Sequence, residues 1–234
     1  MNALITGANR GIGLEFVRQL IIQDVHVFAA YRDSSRTGQL LKLQEEFTQH
    51  ISIIKLDVTN DQALAESYKL VSSEVNHLDL LINNAAISQG EQKFGTFELS
   101  KIKSVLEVNT IAPILVIQQF AELLKKGKHP KIVNISSGLG SLNRATNPRN
   151  PRMSIYSASK AALNMSTIHM AHDLLRHKIA VVSINPGWVR TDMGGPDADI
   201  DTNESVKGML QVIHSLKLQD TGHFYDYTGE TIPW

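Results

Sequence analysis

The stretch LITGANRGIGLEF, residues 4–16, passes from a short apolar run through three glycines, Gly7, Gly11 and Gly13, into an amphipathic segment. A run of that length suits a buried strand, and the spacing after Gly11 suits a helix. Glycine lets the chain turn tightly between the two and lets another backbone or a ligand come close. The first N–H groups of such a helix lack intrahelical partners and point over the turn, where a phosphate binds well. The spacing is Gly-x3-Gly-x-Gly rather than Gly-x-Gly-x-x-Gly, so taken alone the turn leaves a purely structural role open.

Working outward, the same alternation recurs. Short apolar runs stand at Asn2 to Thr6, His26 to Ala30, Ile51 to Leu56, Leu78 to Asn83, Lys131 to Ile135, Ala180 to Asn185 and Gly222 to Tyr225. Helical patterns lie between them near 11–23, 36–49, 61–76, 99–127, 154–177 and 203–216. Strands this apolar are covered on both faces, which predicts a parallel sheet of about seven strands between two helix layers. The expectation is an α/β chain: one doubly wound Rossmann-type domain spanning 1–234, with a mostly parallel sheet. Two irregular segments, NRATNPRNPR at 143–152 and GGPDADIDTN at 194–203, each follow a strand. Both should overhang the carboxyl edge of the sheet, where open α/β folds bind ligands.

Composition narrows the field. The chain has 234 residues, 42% of them hydrophobic and only seven of them proline, enough for a sizeable core and against disorder. Its 23 basic and 23 acidic side chains cancel, which argues against a nucleic-acid partner. It has no cysteine, which excludes disulfides and thiol catalysis and is compatible with a reducing cytosol. The apolar start reads as a strand rather than a signal peptide. No run approaches the roughly eighteen residues of a membrane span, so a cytoplasmic protein with no membrane partner is expected.

The strand ends carry the chemistry. The second run closes in AAYRD, Ala29 to Asp33, where the adenosine ribose of a dinucleotide would lie. An acid there favours a free 2′-hydroxyl and an arginine a 2′-phosphate. Arg32 is well placed and Arg10, in the glycine turn, could join it. Asp33 competes but falls late for the strand edge, so NADP(H) is favoured over NAD(H). The third run ends in LDVT with Asp57, a ligand group or a cap for the next helix, and the fourth in NNAA, Asn83 to Ala86. Asn109 stands mid-helix before Pro113, as a polar bridge where the helix bends or as nothing special. Ser136 and Ser137 follow the fifth run; Pro186, Gly187 and Thr191 follow the sixth. In SIYSASKAAL, 154–163, Tyr156 and Lys160 are four apart, on one helix face about 6 Å along the axis. The small residues Ser157, Ala158 and Ser159 leave that face open to something else.

In this order, TGxxxGxG at Thr6 to Gly13, NNA at Asn83 to Ala85, Asn109, Ser137 and Tyr156-xxx-Lys160 resemble the short-chain dehydrogenase/reductase family over nearly the whole chain. NPGWVRTDMGGPD and the ending GHFYDYTGETIPW, closing on Pro233 and Trp234, further resemble its C-factor and sniffer-type carbonyl reductase branch. The resemblance implies an NADP-dependent oxidoreductase in which Tyr156 is the general acid in reduction and the base in oxidation. It implies that Lys160 lowers the tyrosine pKa and holds the nicotinamide ribose. Ser137 would polarise the carbonyl, and Asn109 would hold a water in a proton relay. Thr6, Gly7, Arg10, Gly11 and Ile12 would line the pyrophosphate and adenosine side. Asp57 would meet the adenine, Asn83 and Ala85 the cofactor ribose side, and Pro186 with Thr191 the nicotinamide amide. Asn9, Gly13, Arg32, Val58, Gly187 and Val189 complete the expected cofactor contacts.

A lysine charge about 5 Å from a phenol, at an effective dielectric of about 20, is worth roughly 3 kcal/mol, or about two pKa units downward. Desolvation opposes that shift. Two departures from the family pattern stand out: Ala86 replaces the usual glycine of NNAG, and Ser137 and Tyr156 are nineteen residues apart, a longer gap than usual. The added length bears on the substrate pocket, expected from 87–97, 138–153 and 188–203. Arg144, Arg149 and Arg152 either select an acidic substrate or belong to a solvated loop. The four lysines of LLKKGKHPK, 123–131, suit a helix end. His169 and His172 have no accompanying ligand set, so no metal is expected. Trp188 and Met193 line the pocket or the core. The family suggests a homo-oligomer acting on a small-molecule carbonyl or alcohol. The other-class alternative is a dinucleotide-binding signalling protein; the complete set Asn109, Ser137, Tyr156 and Lys160 favours the enzyme.

Overall fold

The computed structural model describes residues 1–90, 94–147 and 153–234. Among them, seven strands form one sheet: β1 Asn2–Thr6, β2 His26–Tyr31, β3 Ile51–Lys55, β4 Leu80–Asn83, β5 Lys131–Ile135, β6 Ala180–Asn185 and β7 Phe224–Asp226. Their order is β3-β2-β1-β4-β5-β6-β7, and every neighbouring pair is parallel. The chain leaves β1 toward β2 on one side and reaches β4 on the other. That reversal opens a crevice at the carboxyl ends of the central strands.

The helices are α1 Gly11–Ile21, α2 Gly38–Glu46, α3 Asp61–Glu74, α4 Leu99–Leu106, α5 Ala112–Leu124, α6 Leu142–Ala145, α7 Ser154–Leu175 and α8 Thr202–Ser215. Successive strand residues point to opposite faces, and the two cores follow that period. Ala3, Ile5, Val27, Ala29, Val133 and Val182 pack with Phe16 and Leu20 of α1 and Met209 and Ile213 of α8. Leu4, Phe28, Leu81, Ile132 and Val181 pack with Leu64 of α3, Val116 and Phe120 of α5 and Ala171 of α7. These apolar runs were legible as strands because neither face is solvated.

The structure corrects some boundaries. Leu78 is not in the sheet, because its N–H donates to Leu123 at the end of α5. The pattern expected to run from 36 to 49 becomes a 3-10 turn, Ser34–Arg36, followed by the shorter α2. The expected 99–127 helix is interrupted by a π-helical turn, Glu107–Ile111. The continuous run Leu99–Leu124 is long and apolar enough by length and composition to cross a bilayer, contrary to the sequence expectation. Its Val105, Val108, Ala112, Val116 and Phe120 are buried in this fold, as in the core helix of a globular domain.

Candidate active site

The glycine turn is stapled to β4. Thr6 Oγ1 accepts from the N–H groups of Asn84 and Ala85, both at 3.0 Å, and Asn84 Nδ2 donates to the carbonyls of Thr6 and Gly7 at 2.9 and 3.1 Å. Gly7 and Gly11 hold φ of 65° and 52°, in the left-handed region that favours glycine. A Cβ on Gly13 would stand 2.2 Å from the Gly7 carbonyl oxygen, so no side chain fits there. No side chain caps α1 at Arg10, which leaves its first N–H groups facing the crevice.

Just beyond β2, Arg32 is exposed. Asp33 is committed to the next turn: it accepts from Ser35 N at 2.9 Å and Ser35 Oγ at 2.7 Å. Those hydrogen bonds, with help from Arg36 and Arg32, hold its carboxyl below the usual range. Asn9, Arg10, Gly11, Arg36, Gly38, Gln39 and Lys42 line an open cleft here. Arg36 is a cation that sequence reasoning passed over. Its signal was the position four residues after Arg32, across the turn that Asp33 starts. Asp57 accepts from Thr59 N and Oγ1, shaping a turn; the cap of α3 is Asn60, not Asp57. Val58 is buried beside it.

The Asn83 side chain is buried and donates to Asn134 Oδ1 at 2.9 Å and to the Pro113 carbonyl at 3.4 Å. Asn134 donates in turn to Thr167 Oγ1, to which Ser183 Oγ is also bonded. This polar ladder ties β4, β5 and β6 to α7.

The carboxyl end of β5 brings the chemical groups together. Ser137 starts a 3-10 turn, Gly138–Gly140, and its side chain acts on the Tyr156 phenol so as to favour the phenolate. Lys160 is buried, its Nζ donating to the Ile135 carbonyl at 2.8 Å and lying 5.8 Å from the Tyr156 ring centre. A Cβ on Gly140 would come within 2.8 Å of Lys160, so that glycine lets the turn rest on α7 at this residue. Asn164 clamps the same turn, accepting from Ser136 Oγ at 2.6 Å and donating to the Gly140 carbonyl at 3.2 Å. Asn185 Oδ1 accepts from Gly138 N at 2.9 Å. Asn164, Asn185 and Gly140 are positioning residues that sequence reasoning did not single out.

Burial works on the tyrosine in the direction opposite to the lysine charge. Desolvation pushes the part-buried Tyr156 up to about 12, the Ser137 hydrogen bond opposing it. Burial also pushes Lys160 down to about 7. The same low-polarity surroundings disfavour phenolate and ammonium alike, so the lysine charge that was to draw the phenol down is itself partly lost at neutral pH.

Asn109 is fully buried in the π-helical turn. It accepts from Ile87 N at 2.9 Å and donates to Ile87 O at 2.9 Å and Ser159 Oγ at 3.1 Å. Its side chain is thus the polar bridge at a helix irregularity.

Beyond β6, Pro186 O accepts from Ser205 Oγ at 2.6 Å. Gly187 has φ 82°, and a Cβ there would meet Ile200 at 2.8 Å. Val189 is buried and bridges to Ile200. The Thr191 methyl stands 3.4 Å from where a Gly11 Cβ would be, so this segment crosses the glycine turn. Trp188 and Met193 are half exposed at the rim rather than in the core. Arg144 lies 4.0 Å from Asp226 in an ion pair; Arg149 and Arg152 fall outside the described residues. Ser141 Oγ donates to Pro233 O at 2.5 Å, and Trp234 stacks on Phe224 with centroids 5.4 Å apart, anchoring the chain end beside the pocket. Among the described residues no cluster suits a metal, and His169 and His172 are exposed.

The short chain dehydrogenase family model matches residues 1–200. This chain belongs to the short-chain dehydrogenase family. Within the family it is 37% identical to the C-signal of Myxococcus xanthus over 157 residues, 67% of this chain and 93% of that protein. The NADPH-bound carbonyl reductase from chicken fatty liver is 36% identical, with a TM-score of 0.94 over 100% of this chain and 98% of that one. Carbonyl reductase Sniffer of Drosophila melanogaster is 31% identical, with a TM-score of 0.93 over 100% and 99%. The chain thus falls with the C-factor and sniffer-type branch of these oxidoreductases, as its motifs and Pro-Trp ending suggest.

Proposed function

We propose that the chain is an NADP(H)-dependent oxidoreductase that interconverts small carbonyl compounds and alcohols. The observation that carries this reading is the convergence of Ser137, Tyr156 and the buried Lys160 at the edge of β5, beside a glycine cradle. The cradle fits a dinucleotide: side chains are excluded at Gly7 and Gly13, and the start of α1 is uncapped. Arg10, Arg36 and exposed Arg32 supply cations for a 2′-phosphate, while Asp33 is occupied by Ser35. The NADPH-bound relative supports the same preference.

Thr6, Gly7, Asn9, Gly11, Ile12 and Gly13 would hold the pyrophosphate side, and Asp57 with Val58 the adenine. The backbone of Asn83 and Ala85 would flank the ribose, Lys160 would hold it, and Pro186, Gly187, Val189 and Thr191 would meet the nicotinamide. When bound, that group supplies or accepts the hydride. Ser137 donates a hydrogen bond to the substrate oxygen, and Tyr156 gives that oxygen a proton in reduction or takes one in oxidation. Lys160, near half protonation at neutral pH in the cofactor-free chain, can pass a proton toward the phenol. Asn109 keeps Ser159, and so this turn of α7, in place; Ser159 Oγ donates to Tyr156 O at 2.7 Å.

The test is turnover of a panel of aldehydes and ketones with NADPH. Tyr156→Phe is expected to lower kcat by about 10²–10⁴ with NADPH affinity kept within a few-fold. Full activity in that variant would sink the proposed acid–base role. The similarity to the C-signal favours one second reading, a dinucleotide-binding signalling protein. It predicts NADPH binding with no turnover of any compound in the panel.

A further inference from the structure

Asp192, on the segment that crosses the glycine turn, reaches over to the adenosine end of the crevice. Its Oδ2 accepts from Arg10 Nη1 and, at 2.9 Å, from Arg36 Nη1. One carboxylate oxygen thus sits between two guanidinium groups that come from the glycine turn and from the turn before α2. Arg10 and Arg36 also line the cleft with Lys42. The side chains of Arg10, Arg36 and Asp192 are 51%, 57% and 65% exposed. Pairs so open to solvent add little to stability, so the fold does not depend on this contact. Its consequence lies in what else those arginines can bind.

We infer that Asp192 is an intramolecular stand-in for the 2′-phosphate and sets how strongly the chain prefers NADP(H). This rests on the assignment of Arg10 and Arg36 to that phosphate. A phosphate dianion seeks the same forked donors that the carboxylate now holds, and the two anions repel one another at such close quarters. Cofactor entry therefore has to displace Asp192 from the arginines. The displacement discounts affinity for the phosphorylated dinucleotide and leaves the unphosphorylated one untouched. It also frees the residue next to Thr191, so arrival of the phosphate is felt by the segment that borders the substrate pocket.

The experiment is calorimetric titration of the whole chain with 2′,5′-ADP, 5′-AMP, NADPH and NADH at low salt, on wild type, Asp192→Asn and Arg36→Ala. Asp192→Asn is expected to tighten 2′,5′-ADP and NADPH roughly 3- to 5-fold, the scale of one exposed charge pair, with 5′-AMP and NADH unchanged. That gain should fade at high salt. Arg36→Ala should weaken both phosphorylated ligands and spare the other two. If Arg36→Ala weakens them but Asp192→Asn does not tighten them, the stand-in role is overturned and the arginine assignment survives. Weaker NADPH binding in Asp192→Asn would make the aspartate a strap that aids the cofactor, which also overturns it. If Arg36→Ala leaves NADPH unaffected, the assignment and the inference fall together.

Discussion

At the scale of single residues, Lys160 is a buried amine whose charge is costly to keep. It is an amine 2% exposed, donating to one backbone carbonyl, with its pKa pushed down to about 7 by burial. The unfolded lysine titrates near ~10.4. Between those values the unfolded chain binds more protons, so stability rises with pH across that window. Below pH 7 the folded state bears the whole cost of a buried ammonium; above the unfolded pKa the cost is gone. Lys160→Met should therefore stabilise the cofactor-free chain at pH 6 by about 1–3 kcal/mol while abolishing turnover. The gain should shrink as pH rises from 7 toward 10. Urea unfolding at four pH values checks this, and a pH-independent difference would contradict the burial argument. The same surroundings push Tyr156 up to about 12, opposite to the shift that a pairwise estimate with the lysine charge gives. Spacing four apart on a helix was legible in the sequence; the polarity of the surroundings was not.

At the scale of elements, the π-helical turn Glu107–Ile111 and the turn Gly138–Gly140 both exist to aim side chains at α7. The first inserts extra chain so that Asn109 meets Ile87 and Ser159, and Thr110 Oγ1 donates to the Ser159 carbonyl at 2.9 Å. π-turns of this kind often mark functional sites. Asn109→Ala would leave Ile87 N–H and C=O without their side-chain partner, at a cost of about 2–3 kcal/mol. It would also loosen the backbone next to Tyr156. The expected signature is a lower urea midpoint together with a fall in kcat larger than any change in NADPH affinity. Equal losses in kcat and affinity would place Asn109 at the cofactor rather than behind the tyrosine. The polar bridge before Pro113 was one of two readings the sequence left open for Asn109. The extra turn was not legible, since one inserted residue barely changes a hydrophobic period. Gly140 was silent for a related reason: its backbone is ordinary, and only the approach of Lys160 demands glycine there.

At the scale of the whole molecule, the buried parallel sheet follows from apolar runs that tolerate no solvated face. The crevice follows from the reversal at β1, so the fold and the edge carrying the site could be read before any coordinates. Long-range polar bonds could not. The Asn83–Asn134–Thr167–Ser183 ladder joins residues a hundred positions apart, and the Asp192 contact spans 182. Nothing local in the sequence announces such pairs. Because the crevice draws on the glycine turn, α2, α7 and the segment after β6, a dinucleotide bound there bridges elements that separate on unfolding. NADPH at a hundred times its dissociation constant should stabilise the chain by about 2.7 kcal/mol, a rise in Tm of roughly 5–11 °C for a domain this size. A dinucleotide bound tenfold more weakly should give, at the same concentration, only about half that rise. NADH is expected to behave so, and Arg36→Ala should bring the NADPH response down to the NADH one. Equal shifts by both dinucleotides in the unaltered chain would mean that the basic cleft does not read the 2′-phosphate.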